Sequence, residues 1–394
     1  MSGFLPGRAG GNFVNDQDFS PTNDFWLNAF YDSEGFLAGT QFSAVDVYQI
    51  DKLQTGRMFF LQTLGLSEFP GNDFQVGGAR FSQDGNFICA CGTGDGGGMY
   101  VWKFLSSTAT GALGEQIGKY NFHATTELGS ITGRNSISWS DNDAYIVTED
   151  KVFRFGGGTV TSTATGYAGA TTFDDFTQVV TAVQDLNEFS NTVGADWAYG
   201  TSTDDRAKYL LVGGLSTASD FTRETFSVMR RSGDTFTAAT DIIQEPPTNN
   251  KGLWPDVTAI TVSPQQNFVA VGVQTANFGA GTAPLPSASN PQLVFYRFNK
   301  EAETLTKLPV PVDQPIGDNA QGPLQIKWSS DEEFVAVTIL REGDSANADY
   351  ATEGLYMYRQ VSDGRFVRSK SPDLELEEDS SDTGRDAQAV AFPK

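Results

Sequence analysis

The stretch Ala79-Arg80-Phe81-Ser82-Gln83-Asp84-Gly85-Asn86-Phe87-Ile88-Cys89-Ala90-Cys91 reads as a strand, a tight turn and a second strand. Apolar residues alternate before the turn and run almost unbroken after it. Asp84 and Gly85 supply the chemistry that reverses the backbone. A single hairpin decides little, so the question is whether its outline returns.

It does. Ile137-Ser138-Trp139-Ser140-Asp141-Asn142-Asp143-Ala144-Tyr145-Ile146-Val147 repeats it, as do Ile260 to Val271 around Val262-Ser263-Pro264 and Ile326 to Val337 around Trp328-Ser329. A weaker copy has Ala195-Asp196-Trp197, a turn at Asp204-Asp205, and strands at Tyr209 to Val212 and Thr225 to Met229. In each strong copy an aromatic residue or Val precedes Ser, a polar turn follows, and an apolar strand starts about five residues after that Ser. A further strand follows each: Met99 to Phe104, Lys151 to Phe155, Leu293 to Phe298, Leu355 to Arg359. The period is roughly 60 residues, longer than the roughly 40–45 of a minimal four-stranded blade, which leaves room for insertions. Gly279 to Pro291, Glu342 to Glu353 and Ser371 to Arg385 have the Gly, Pro, Ser or acid content of such insertions.

These units predict an all-β chain: one β-propeller of six blades, each of four antiparallel strands, with seven blades if Gly166 to Thr192 contributes an extra one. Residues 1–22, with Gly3, Gly7, Gly10 and Gly11 around isolated Phe4, Leu5 and Phe13, read as an extended N-terminal arm. Residues 23–394 read as the propeller. The first unit has three good strands, Phe25 to Phe30, Val45 to Ile50 and Met58 to Leu64, and lacks an obvious inner one. Asn15 to Pro21 keeps the Phe-Ser-Pro register but places Gln17 where other copies carry an apolar residue. Ala389-Val390-Ala391-Phe392 has the inner-strand pattern and no partner after it, so the C-terminal strand is expected to complete the N-terminal blade and close the ring.

Phe81-Ser82-Gln83-Asp84-Gly85 and Val262-Ser263-Pro264 resemble the Phe-Ser-Pro-Asp-Gly turn phrase of WD40-like and TolB-like β-propellers, over most of residues 24 to 394. No Trp-Asp dipeptide closes a third strand, no Gly-His pair opens a blade, and no Ser-x-Asp-x-Gly-x-Thr-Trp box is present.

Composition narrows function. The chain has 394 residues, 42 Gly, 30 Phe and a formal net charge of −23 from 49 acids and 26 bases. That charge argues against a phosphate-backbone ligand, which needs clustered Lys and Arg, and against docking on anionic lipid. No run approaches the roughly 18 apolar residues of a membrane span, and no secretory leader is visible. Neither nucleic acid nor membrane is an expected partner.

Catalytic chemistry finds little support. His123, the single histidine, falls on a predicted outer strand, away from a propeller's channel, and cannot build a multi-imidazole zinc site. Cys89 and Cys91 alternate to opposite strand faces and read as small buried hydrophobes. Gly92 to Gly98 lacks the Lys-Ser/Thr ending and helix of a phosphate loop. The acidic runs Asp344 to Asp349 and Glu375 to Asp382 lack EF-hand spacing. Asp196 and Asp386 are the acids near the inner strands. The chain is therefore expected not to be an enzyme, with no catalytic, metal or cofactor residues.

The leading expectation is a non-catalytic platform within a larger assembly, its partners other protein subunits and its arm residues Phe4, Leu5 and Phe13 the assembly contacts. Its Gly, Asn, Asp, Thr and Phe content with few Lys also resembles bacteriophage virion proteins, capsid-decorating or tail-associated. That resemblance implies a place in the virion and a host-surface receptor or glycan as target; otherwise the chain is expected in the cytoplasm. Two alternatives stand beside it: a propeller hydrolase or lactonase with a channel-bound divalent cation, and a glycan-binding propeller.

Overall fold

A computed structural model describes residues 12–21, 25–32, 42–50, 58–64, 75–85, 87–93, 98–103, 137–140, 145–148, 151–155, 176–180, 189–201, 207–216, 224–233, 235–248, 255–274, 291–314, 322–339, 355–362 and 364–369. Among them there is no helix. Twenty-three strands form six sheets, five of four strands and one of three. The first sheet is β1 (Asn12–Phe19), β2 (Phe25–Asp32), β3 (Phe42–Ile50) and β4 (Met58–Leu64). The second is β5 (Gln75–Phe81), β6 (Phe87–Thr93) and β7 (Gly98–Lys103). The third is β8 (Ile137–Trp139), β9 (Tyr145–Thr148), β10 (Lys151–Phe155) and β11 (Phe176–Val180). The fourth is β12 (Phe189–Ala198), β13 (Tyr209–Ser216), β14 (Phe226–Ser232) and β15 (Thr235–Ala238). The fifth is β16 (Val257–Val262), β17 (Phe268–Val273), β18 (Leu293–Asn299) and β19 (Thr304–Lys307). The sixth is β20 (Pro323–Trp328), β21 (Phe334–Ile339), β22 (Leu355–Ser362) and β23 (Arg365–Arg368). Each is a meander of sequential neighbours, the expected blade. The strand at Phe176–Val180 closes the third blade rather than opening an extra one.

The repeating phrase is held by one bond pattern. The Ser82, Ser140, Ser263 and Ser329 N–H groups donate to the carbonyls of Phe87, Tyr145, Phe268 and Phe334, each at 2.9 Å. The same serine hydroxyls accept the N–H of those aromatic residues, again at 2.9 Å. A short hydroxyl side chain thus closes the turn that backbone pairing leaves unfinished. Ser20 repeats the backbone half with Phe25 at 2.9 Å.

That repetition corrects one expectation. Strand β1 (Asn12–Phe19) pairs with β2 from Asn12↔Asp32 to Phe19↔Trp26 and is the first strand of the N-terminal blade. Residues 12–19 are therefore strand where an extended arm was expected. Backbone closure at Ser20 sets the strand, so a polar Gln17 at one position does not unseat it. Residues 389–394, and with them the expected closure, lie outside the described residues, as do Phe4, Leu5, Asp386, both acidic runs and His123 with the outer strand expected around it.

Inner strands share a second device. Their register shifts between Val14 and Asp16, Val76 and Gly78, Thr192 and Gly194, Val257 and Ala259, and Pro323 and Gln325. Each shift ends four residues before the Ser position (Ala198 in the fourth blade). A bulge at a fixed place bends these five inner strands alike, while β8 of the third blade pairs with β9 without a shift.

The chain divides into two compact units, Met1–Ile131 with Phe155–Phe176, and Thr132–Arg154 with Thr177–Lys394. In each, the core lies between successive blades. In the first, Leu27, Val45, Val47 and Leu64 of the first blade meet Val76, Ala79, Phe81 and Ile88 of the second. In the second, Tyr145 and Val147 meet Trp197 and Leu210; Tyr209, Phe226 and Val228 meet Val262, Val271 and Tyr296; and Phe268 and Phe295 meet Trp328, Tyr358 and Phe366. A strand sandwiched this way is apolar throughout, and all six residues of β17 are buried. Each large apolar side chain so buried contributes about 1.5–3 kcal/mol. Close approach also explains one glycine: a Cβ on Gly194 would lie 2.8 Å from the Ile260 backbone nitrogen. Cys89 and Cys91 are free thiols and fully buried, as expected, with burial pushing the Cys89 pKa up.

Candidate functional site at the blade seams

The inner-strand position two residues before each turn serine is polar or charged in every blade. In the first unit it holds Asp18 and Arg80; in the second it holds Ser138, Asp196, Thr261 and Lys327, all partly buried. A functional group of a propeller would be sought at such positions, because they sit on the innermost strands.

Asp196 is the best-built of them. Its Oδ1 accepts the Ser138 hydroxyl at 2.8 Å and its own chain's Trp197 N–H at 2.9 Å, and its Oδ2 accepts the Val262 N–H at 2.7 Å. One carboxylate from the fourth blade therefore holds the third and the fifth. The Trp197 indole N–H donates to the Ser138 carbonyl at 3.1 Å, which joins the fourth blade to the third a second time. Burial pushes the Asp196 pKa above its ordinary value, and the three donors and the charge of Lys327 only partly offset this. Asp196 retains some accessible surface. In the first unit Asp18, at the same repeat position, accepts the Phe81 N–H at 2.9 Å through Oδ2. The acid found twice at this position bonds each time to the backbone of the next blade, at the residue before its turn serine.

The turns reach in the opposite direction. Gly85, Gln266 and Glu332 each stand three residues after the turn serine with φ of 71°, 64° and 61°. Their N–H groups close the turn on Ser82, Ser263 and Ser329 at 2.9, 2.8 and 3.0 Å. Glycine takes that conformation without strain, whereas Gln and Glu do not. Both side chains are used across a seam. Gln266 accepts the Tyr199 N–H of the preceding blade at 3.1 Å. Glu332 accepts the Gln265 N–H at 2.7 Å and the Asn267 side-chain amide at 2.8 Å. A long polar residue where another copy carries Gly85 is the signal of this second role in the sequence.

Further out, Glu303 repeats the pattern at φ 53°. Its Oε1 lies 2.7 Å from Lys208 Nζ and its Oε2 2.8 Å from Arg230 of the fourth blade. The hydrogen bond from Lys208 leads the causes that hold the Glu303 carboxyl down to about 2. Arg230 also lies 3.5 Å from Asp241.

Phe13, one of the expected assembly contacts, lies on β1 opposite Tyr31. No group of three or more His, Cys, Asp or Glu that would hold a metal ion occurs among the described residues. What the inner positions and turns do chemically is accept and donate hydrogen bonds between blades.

Compared by sequence, the chain matches no family model and no curated protein. Compared by structure, it is similar to a protein from Lactobacillus plantarum (12% identity, 91% of this chain, 84% of that one, TM-score 0.51). It is also similar to the periplasmic gluconolactonase PpgL of Pseudomonas aeruginosa (13% identity, 90% and 84%, TM-score 0.50). A third likeness is to the β-propeller domain of Cps50 (Swd1) from Myceliophteria thermophila (11% identity, 93% and 88%, TM-score 0.49). The gluconolactonase likeness corrects the expectation that the chain is not an enzyme, since this fold is one that a named lactonase carries. Blades of sequential antiparallel strands, cores between them and these neighbours together make the chain a β-propeller.

Proposed function

We propose that the chain is a rigid propeller platform that docks protein partners in a larger assembly. The observation that carries this reading is the seam chemistry: Asp196, Gln266, Glu332 and Glu303 all bond from one blade to another. Such bonds fix blade against blade, and a preorganised scaffold loses little freedom when a partner docks. Large apolar residues are exposed outside the cores, Phe60 at 56%, Val312 at 78% and Val361 at 52%. The narrower reading, a component of a virion surface or tail that meets a host receptor or glycan, rests on composition. Purification of the tagged chain from the cells that make it, followed by cross-linking mass spectrometry, tests the platform. A stoichiometric protein partner cross-linked to outer strands supports it; a chain recovered without one contradicts it.

A second reading is a hydrolase of cyclic esters, and the likeness to the named gluconolactonase is what favours it. Titration of acid released from glucono-δ-lactone, with and without a chelator, tests it. Enzyme-dependent release that saturates with substrate supports it, and release at the spontaneous rate contradicts it.

A further inference from the structure

The chain that leaves β19 reads Leu308-Pro309-Val310-Pro311-Val312-Asp313-Gln314, and its burial repeats every three residues. Leu308 packs against the core between the fifth and sixth blades, and Pro311 and Gln314 are buried. Pro309 and Val312 are exposed, Val312 at 78%, more than Phe60 or Val361. Positions 308, 311 and 314 therefore face inward, and 309 and 312 outward. The segment forms neither helix nor strand, and a period of three is that of the left-handed polyproline helix. Its sequence explains this: Pro309 and Pro311 fix φ at about −65°, and each drives the residue before it, Leu308 and Val310, to extended values.

Both ends of the segment are fastened. Leu308 N–H donates to the Phe295 carbonyl at 2.8 Å. At the far end Gln314 Oε1 accepts the N–H groups of Gln292 and Leu293 at 3.0 and 2.9 Å, and its Nε2 donates to the Pro311 carbonyl at 2.8 Å. The Tyr358 hydroxyl, from the sixth blade, donates to the Asp313 carbonyl at 2.9 Å. Two blades thus hold a ridge whose outer edge faces solvent. Pro309 and Pro311 have no N–H, and among the described residues Val310 and Val312 make no backbone hydrogen bond. With every second donor missing, a partner strand cannot add to the ridge. What the ridge offers is carbonyl groups and two apolar side chains about 9 Å apart, three residues at about 3.1 Å each. A groove walled by aromatic rings that also carry N–H or O–H donors matches that offer.

We infer that residues 308–312 are a preformed polyproline ridge that docks, through Pro309 and Val312, into an aromatic-lined groove of a partner protein. Because the ridge is fastened before it binds, docking loses little chain freedom. The inference rests on the platform reading and names one of its surfaces.

The probes are purified SH3, WW and EVH1 domains, each of which presents an aromatic groove to extended proline-rich chain. The full chain is titrated over each domain, immobilised, by biolayer interferometry. Saturable binding to at least one domain is expected, weakened at least about tenfold by Val312→Asp and at least about threefold by Pro309→Ala. Val361→Asp, at an exposed valine of β22, is expected to leave it unchanged. All three side chains are exposed, so each variant should keep the thermal transition of the wild type; if Pro309→Ala lowers it, Val312→Asp decides alone. Failure of every domain to bind overturns the inference, as does binding that Val312→Asp leaves intact. Equal weakening by Val361→Asp overturns it too, since the contact would then be apolar attraction without a ridge. Any of these removes the ridge only; the platform reading falls separately, when native purification yields no partner.

Discussion

Glu303 offers the sharpest quantitative test of the seams. Its carboxylate joins the fifth blade to Lys208 and Arg230 of the fourth, at 2.7 and 2.8 Å. A carboxyl lowered from 4.5 to about 2 by its neighbours corresponds to roughly 3 kcal/mol at 1.36 kcal/mol per unit. The Glu303 and Lys208 side chains are 31% and 22% exposed, so solvent screening reduces the expected worth to about 1–2 kcal/mol. The left-handed backbone at Glu303 costs about 1 kcal/mol of that, which Glu303→Gly recovers and Glu303→Gln does not. The assay is urea denaturation of the wild type, Glu303→Gln, Lys208→Met and the double variant at pH 7. The expected coupling energy is about 1 kcal/mol, falling by half or more in about 1 M salt. Because the folded pKa is depressed, this stability is present above the ordinary glutamate value and is lost as pH falls through about 2. A coupling below about 0.3 kcal/mol, unchanged by salt, would refute an ion pair at this seam.

Other substitutions follow from the same geometry. Asp196→Asn must turn an amide N–H toward either Val262 N–H or the Ser138 and Trp197 donors, and should cost about 1–3 kcal/mol in thermal or chemical unfolding. The wild type's advantage over Asp196→Asn should shrink as pH rises from the ordinary aspartate value through the raised one, since the folded state holds that proton more tightly; a difference constant with pH would contradict the direction of the shift. Gly194→Ala should destabilise by about 1–3 kcal/mol, because its Cβ meets backbone rather than a movable side chain; a neutral result would place the inner strands further apart. Gly85→Ala should cost about 1 kcal/mol, while Gln266→Gly should be near neutral, strain relief offsetting the lost bond to Tyr199.

The blade phrase was readable in the sequence because its chemistry is local. An aromatic residue or Val, then Ser, a polar turn and an apolar strand specify a hairpin wherever they fall, and Ser82, Ser140, Ser263 and Ser329 close theirs with the same bonds. The non-local parts were hidden. Gln17 made β1 look unlike an inner strand, and the next residue, Asp18, receives Phe81 N–H, sixty-three residues away. Asp196 stood out only as an acid near a strand; its bonds to Ser138 and Val262 depend on how neighbouring blades pack. Gln266 and Glu332 could be read as turn residues, but their reach across the seam depends on a backbone conformation that sequence does not display for a non-glycine residue. The bulge of these five strands leaves no trace in the apolar pattern, since Asn15, Gly77, Val193, Thr258 and Leu324 have nothing in common at the skipped position.

The platform reading stands on carboxylates that bond between blades, and amide hydrogen exchange at Phe81 and Val262 tests that most directly. Both amides should exchange slowly in the wild type, and Asp196→Ala should speed Val262 by about tenfold or more while leaving Phe81 unchanged, with Asp18→Ala doing the reverse. Rapid exchange at both in the wild type, or no response to either substitution, would show that these acids do not hold the blades.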